Sequence, residues 1–238
     1  MALQKDWRPE AVTLLMGSII LSFLGGGTLI AVLHHFGVAG FKGEDGVGTI
    51  LAATLCFHGV VLAGSLPFLK YHETNWRAVL GLDNSGLGGA LGLAAMAFPV
   101  IVIVVMGLQY TCIKILTHFH YPAADQEAVD MILNAKSHAL RIYLIIFAVG
   151  IAPVAEEFIF RGILFPFVKQ LGYPRLAWLA PSLLFALIHA SLPIFVPLFV
   201  FALGLTWLYA TTGRLLTNIL VHGLFNALNL ILLLNSNS

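Results

Sequence analysis

Charged residues and cysteines are scarce in this chain of 238 residues. Only 10% of the residues are Asp, Glu, Lys or Arg, and the formal net charge is +1. This small charge, without a basic run or a phosphate-cradling glycine loop, argues against nucleic acid as a partner. The two cysteines, Cys56 and Cys112, lie in separate apolar segments. They form no CxxC pair, which argues against a disulfide framework or a zinc-thiolate site.

Apolar residues are abundant instead. Hydrophobic residues make up 59% of the chain, and the mean hydropathy is +0.94, which is far above the range of soluble domains. About 20 consecutive apolar residues cross a bilayer. On this basis the sequence predicts transmembrane spans near residues 10–36, 47–69, 87–113, 140–168, 175–190, 193–211 and 213–235. We therefore expect an all-α, polytopic membrane helix bundle with seven to eight transmembrane helices. It would be a multi-pass integral membrane protein, in the cell membrane if the chain is prokaryotic.

No repeat, low-complexity stretch or polar linker divides the chain. The simplest organisation is one integral-membrane domain over residues 1–238, with a motif-bearing core at 140–235. The longest polar interval, 117–139, carries apolar residues at helical spacing. This pattern is typical of an amphipathic helix that lies along the membrane and screens the mouth of a site, or of an ordinary connecting helix.

Three charged side chains lie inside one predicted span: Glu156, Glu157 and Arg161. An ionised residue at mid-bilayer costs about 2.5–3.5 kcal/mol on insertion scales, so a group of three predicts a functional site. Glu157 and Arg161 are four residues apart, share a helix face and can neutralise each other. Glu156 projects about 100° away. It can therefore contact a different neighbour and accept a proton.

Two other spans carry polar side chains at a similar depth. His189 ends the fifth span, and His222 and Asn226 lie four residues apart on one face of the last span. Counted at about 1.5 Å per residue, these residues and Glu156 lie roughly 14–21 Å from the same membrane face. A carboxylate beside an imidazole can deprotonate water, while an imidazole and an amide can donate to an oxyanion. The set is therefore typical of a peptidase.

The residue types leave alternatives open. Glu and His are also zinc ligands, so zinc or another divalent metal could activate the water, and a metal-independent mechanism is equally open. HExxH, GxSx and paired intramembrane Asp signals are absent, which argues against other membrane proteases. A proton-coupled transporter, or an immunity or interaction scaffold, could use the same buried cluster. We interpret His58, Asn218 and Asn229 as ordinary buried polar residues.

Three short motifs follow one another on successive predicted spans: Glu156-Glu157-x-x-x-Arg161, Phe185-x-x-x-His189 and His222-x-x-x-Asn226. In this order they resemble the CPBP family of intramembrane proteases, which includes type II CAAX prenyl endopeptidases and bacteriocin-processing or self-immunity proteins. The resemblance covers residues 140–235. A less specific similarity lies upstream, at residues 76–82.

The resemblance implies roles for these residues. Glu156 and His189 would activate the hydrolytic water, while His222 and Asn226 would stabilise the oxyanion. If a metal is present, its ligands would be Glu156, His189 and His222. Glu157, Arg161 and Phe185 would support the site.

The implied activity is endopeptidase cleavage of a membrane-associated peptide or lipidated protein, either a prenylated CAAX-type substrate or a leader peptide. We expect the protein to be embedded in the lipid bilayer. Neither the residues nor the resemblance decides the substrate, the oligomeric state or the membrane face to which the site opens.

Overall fold

Each span predicted from hydropathy corresponds to a helix. A computed structural model describes residues 6–41, 46–82, 85–121, 131–132, 135 and 137–236. Within these ranges the chain forms eight helices and no strand, which confirms the all-α bundle. The helices are α1 (Pro9–His35), α2 (Val47–Tyr71), α3 (Trp76–Leu80), α4 (Leu87–His118), α5 (His138–Gln170), α6 (Pro174–Ile188), α7 (Leu192–Thr212) and α8 (Leu215–Ser236).

In the described part of the chain, six helices are long and apolar enough to cross a membrane: α1, α2, α4, α5, α7 and α8. Helix α6 has 15 residues and occupies the position of the short fifth span. The predicted amphipathic segment at 117–139 lies mostly outside the described residues, because 122–130, 133–134 and 136 are not described.

Helices α5, α7 and α8 form the interior of the bundle. Between 44% and 50% of the residues in their apolar windows are buried, against 11–17% in α1, α2 and α4. The outer helices instead expose large apolar side chains such as Leu21 and Ile103, as expected where a helix faces lipid. The charged motif thus lies on an interior helix, where protein groups rather than hydrocarbon can surround it.

Helices α2 and α5 contain π-helical turns, at Leu55–Gly59, Phe147–Ile151 and Phe158–Leu164. Proline affects the hydrogen bonding of the last turn, because Pro166 has no N–H for the carbonyl of Gly162, four residues earlier. Trp7 Nε1 donates to that carbonyl instead, at 2.8 Å, and the Trp7 side chain is buried. The segment before α1 is therefore anchored on the helix that carries the charged motif.

The upstream segment at 76–82 forms α3 and packs against the same helix. The Trp76 ring lies 4.8 Å from the ring of Phe158. Gly81 ends α3 with φ of 78°, a conformation that favours glycine, and its carbonyl accepts a hydrogen bond from Arg214 at the start of α8. Helix α3 therefore links α5 to α8.

A close backbone contact joins α5 to α8. Gly223 of α8 packs against the carbonyl of Val149 in α5. A Cβ atom added at Gly223 would lie 2.5 Å from Val149 O. No larger residue fits there without moving one of the two helices.

We expect Gly223→Ala to destabilise the protein by about 1–3 kcal/mol, because the new methyl group overpacks a backbone contact. Thermal unfolding in detergent measures the change. Gly107→Ala is the matched control, since nothing lies within 4 Å of a Cβ atom at that helical position, and we expect it to be neutral or slightly stabilising. A Gly223→Ala protein that unfolds at the wild-type temperature would contradict the close contact.

Candidate active site

Glu157 and Arg161 form the buried ion pair that their spacing predicts. Arg161 Nη1 donates to Glu157 Oε1 at 2.8 Å, and both side chains are at most 1% exposed. Arg161 Nη2 donates to the carbonyl of Ala202 on α7, at 2.9 Å. The guanidinium also lies 5.0 Å from the centre of the Phe185 ring on α6. The pair therefore joins α5 to two neighbouring helices.

Glu157 also holds α8 in place. Its Oε1 accepts from His222 Nδ1 at 2.9 Å, and its Oε2 accepts from Asn218 Nδ2 at 3.2 Å. Asn218 Nδ2 further donates to Leu205 O of α7 at 2.7 Å. Glu157 is thus a buried acceptor for three side chains, and His222 and Asn218 are one helical turn apart on the same face. The hydrogen bond from Nδ1 to Glu157 therefore fixes the position of the His222 ring.

Glu156 lies between two imidazoles. Its Oε2 is 3.7 Å from His222 Nε2, and its Oε1 is 3.4 Å from His58 Nε2 on α2. The Glu156 residue is 9% exposed. The predicted proximity of Glu156 and His222 is therefore present, and a second histidine approaches the other carboxylate oxygen.

The hydrogen bond to Glu157 determines how His222 faces Glu156. An ionised carboxylate only accepts hydrogen bonds, so Nδ1 of His222 carries the hydrogen and Nε2 points to Glu156. Glu156, Glu157 and Arg161 together carry one excess negative charge. One proton shared between Glu156 and the imidazoles brings the buried cluster to neutrality, which a low-dielectric surrounding favours.

His189 ends α6 beside the same cluster. Its Nδ1 lies 2.7 Å from the carbonyl of Phe185, one turn earlier. Since a carbonyl only accepts, Nδ1 donates and Nε2 remains for water or substrate. The Phe185 ring packs 4.8 Å from His189 and 5.7 Å from His222, as the resemblance implies for this position.

Asn226 has a structural partner. Its Nδ2 donates to the carbonyl of Ala148 in α5, at 2.8 Å. Ala152 N bonds to Phe147 O five residues back, and in that register the partner of Ala148 O would be Pro153, which has no N–H. Asn226 therefore satisfies a carbonyl that proline leaves without its donor. The second N–H of its amide remains for an oxyanion.

Sequence reasoning missed two residues of this cluster, His58 and Asn218. Signals for both exist in the sequence. His58 lies 13 residues before the end of α2, and Glu156 lies 14 before the end of α5. These two helix ends lie at the same membrane face, so the depth count that matched Glu156 with His189 also applies to His58. Asn218 lies four residues before His222 and shares its helix face. Asn229 bonds within its own helix, to Phe225 O, as an ordinary polar residue does.

The described residues contain no group of three His, Cys, Asp or Glu side chains arranged to hold a metal ion. The set Glu156, His189 and His222 thus does not fit a metal ion in this arrangement.

Part of the chain is similar to a known protein family. Residues 138–228 match the family described as type II CAAX prenyl endopeptidase Rce1-like. The matched range contains all three motifs, from Glu156 to Asn226. No curated protein and no solved structure matches the chain. The match and the six long apolar helices identify an integral, multi-pass membrane protein. Over residues 138–228, the chain is therefore similar to type II CAAX prenyl endopeptidases of the Rce1-like family.

Proposed function

We propose that this chain is an endopeptidase in which Glu156 and a histidine activate water inside the membrane. The match of residues 138–228 to type II CAAX prenyl endopeptidases supports the peptidase activity. The observation that supports this proposal is the 3.7 Å distance between Glu156 Oε2 and His222 Nε2. The other ring nitrogen of His222, Nδ1, is hydrogen-bonded to Glu157.

In the first step, the water oxygen attacks the carbonyl carbon of the scissile peptide bond. Glu156 takes one proton from the water, and Nε2 of His189 accepts the hydrogen bond of the other. A base in this position contributes about 10²- to 10⁴-fold to the rate. The step produces a tetrahedral intermediate whose negative charge lies on the former carbonyl oxygen.

Two groups on α8 can stabilise this oxyanion. Protonated His222 has an Nε2–H to donate, while its Nδ1–H stays bonded to the Glu157 carboxylate. The second N–H of Asn226 is the other donor. One donor of this kind contributes about 10²- to 10³-fold. The carbon–nitrogen bond then breaks, and Glu156 returns its proton to the leaving amine, so that the products are a carboxylic acid and an amine.

The proposed substrate is a peptide that reaches the site from the bilayer. The cluster lies in helices whose outer neighbours expose large apolar side chains. A lipid-modified C-terminus, or a leader peptide that partitions into the membrane, has the apolar character to approach it. Burial of the reacting groups also strengthens their electrostatic interactions with the transition state.

The test is a cleavage assay with the purified protein in detergent. We expect cleavage of a prenylated CAAX peptide or of one member of a leader-peptide panel, with one ¹⁸O atom from labelled water in the new carboxylate. The unprenylated peptide of the same sequence measures the contribution of the lipid. We expect turnover to persist in the presence of a metal chelator, because Glu156, the histidines and Asn226 carry out every proposed step.

Two outcomes of this assay would contradict the proposal. If no peptide is cleaved, the proposed endopeptidase activity is wrong, and the transporter and scaffold alternatives remain. If a chelator abolishes turnover and zinc restores it, the water is activated by a metal rather than by the carboxylate alone.

A further inference from the structure

His58 contacts the carboxylate that we propose as the base, although it lies outside the three motifs. Its Nε2 is 3.4 Å from Glu156 Oε1, whereas His222 faces Oε2. The His58 side chain is only 16% exposed. Helix α2 also lies outside residues 138–228, so the family match does not cover this contact. The two oxygens of Glu156 therefore have different neighbours.

Aromatic rings hold the His58 imidazole in place. Phe57 and Phe147 pack against it edge-on, with ring centres 4.8 and 4.7 Å away. His58 lies in the π-helical turn of α2, Leu55–Gly59, and Phe147 begins the first π-helical turn of α5. A π-helical turn inserts a residue and changes the direction of its side chains, which is frequent at functional sites. Here it directs His58 toward the helix of the charged motif.

In the contact between His58 and Glu156, only the histidine can be the hydrogen-bond donor. An ionised Glu156 only accepts, so Nε2 of His58 carries the hydrogen and donates it to Oε1. The other ring nitrogen, Nδ1, is buried and has no hydrogen-bond partner among the described residues. The single N–H of neutral His58 is therefore committed to Glu156.

We propose that His58 is a positioning residue for the base. Its N–H holds Oε1 of Glu156, so that Oε2 is presented to the water and to His222. This inference rests on the proposed function, in which Glu156 is the base. Without the contact the carboxylate can rotate, and a misplacement of about 1 Å at a reacting group can cost about 10²-fold in rate.

Three substitutions separate this role from simple packing. In His58→Gln, the side-chain Nε2 is the same number of bonds from Cα as in histidine, so an N–H can still reach Glu156. In His58→Asn, the amide nitrogen takes the position of Nδ1 and is too far from Glu156 to donate to it. His58→Phe keeps the ring but removes the donor. His34→Gln is the control, because His34 is exposed at the end of α1.

We expect His58→Gln to keep most of the wild-type kcat. The Asn and Phe variants are expected to lose about 10²-fold in kcat with KM little changed, because His58 contacts the base and not the substrate. Equal rates for the Gln and Asn variants, or a wild-type rate for the Phe variant, would overturn the inference. If the Phe variant does not fold, as judged by thermal unfolding, the comparison of Gln with Asn decides.

The proposed function can fail separately. If Glu156→Gln keeps full activity, or if the wild type cleaves no peptide, the assignment of Glu156 as the base is wrong. The inference about His58 then fails with it. An inactive Glu156→Gln together with unimpaired His58→Asn and His58→Phe variants overturns the role of His58 alone.

Discussion

Glu156→Gln is expected to abolish peptide cleavage while the protein remains folded. Glutamine has the size of glutamate but cannot take a proton from water, so the general-base contribution of about 10²- to 10⁴-fold should be lost. The amide can still contact the imidazoles of His58 and His222, which keeps the surroundings packed. We expect the loss in kcat, measured as initial rates in detergent at saturating peptide.

The control for this experiment is Glu73→Gln. Glu73 is an exposed acid in the connection after α2, so its substitution should leave kcat and KM unchanged. Thermal unfolding of both variants should occur near the wild-type temperature. If Glu156→Gln cleaved at the wild-type rate, the assigned base and the mechanism built on it would be wrong.

Arg161→Met is expected to cause the largest loss of stability. It leaves the Glu157 carboxylate fully buried without its cation, and it removes the hydrogen bond to Ala202 O. Breaking a buried ion pair by removing one partner typically costs about 3–5 kcal/mol. Activity should fall as well, because Glu157 orients His222.

A double variant tests whether the uncompensated charge is the cause. In Glu157→Gln with Arg161→Met both charges are absent, and we expect much of the lost stability to return, although not the activity. Lys169→Met, an exposed cation near the end of the same helix, should change stability by less than about 1 kcal/mol. If Arg161→Met unfolds like the wild type, the ion pair does not stabilise the protein. If the double variant is no more stable than Arg161→Met, the uncompensated charge of Glu157 is not the cause of the loss.

The agreement between sequence and structure is best for features within one helix. Hydropathy placed the spans because crossing a bilayer requires a run of apolar residues, wherever the neighbours lie. The pairing of Glu157 with Arg161 followed from four-residue spacing alone. The depth count brought Glu156 and His222 to one level, and they are neighbours in the structure.

Contacts between different helices were predicted less well from the sequence. The depth count says how far a residue lies from a membrane face, but not which helices are adjacent. His58 has the same depth as Glu156, yet only the packing of α2 against α5 shows that they touch. Asn226 has the right depth for an oxyanion donor, and only the π-helical turn before Pro153 shows that it also satisfies Ala148 O.

The sequence by itself determined the membrane-spanning helices, the buried ion pair and the set of polar residues at one depth, because these depend on hydropathy and on the repeat of a single helix. Tertiary structure alone decided which residue each polar atom contacts: His222 is held by Glu157, and Glu156 lies between two histidines from different helices. The physical reason is that apolar surfaces pack in many lateral arrangements of similar energy. Contacts between side chains of different helices select one of them.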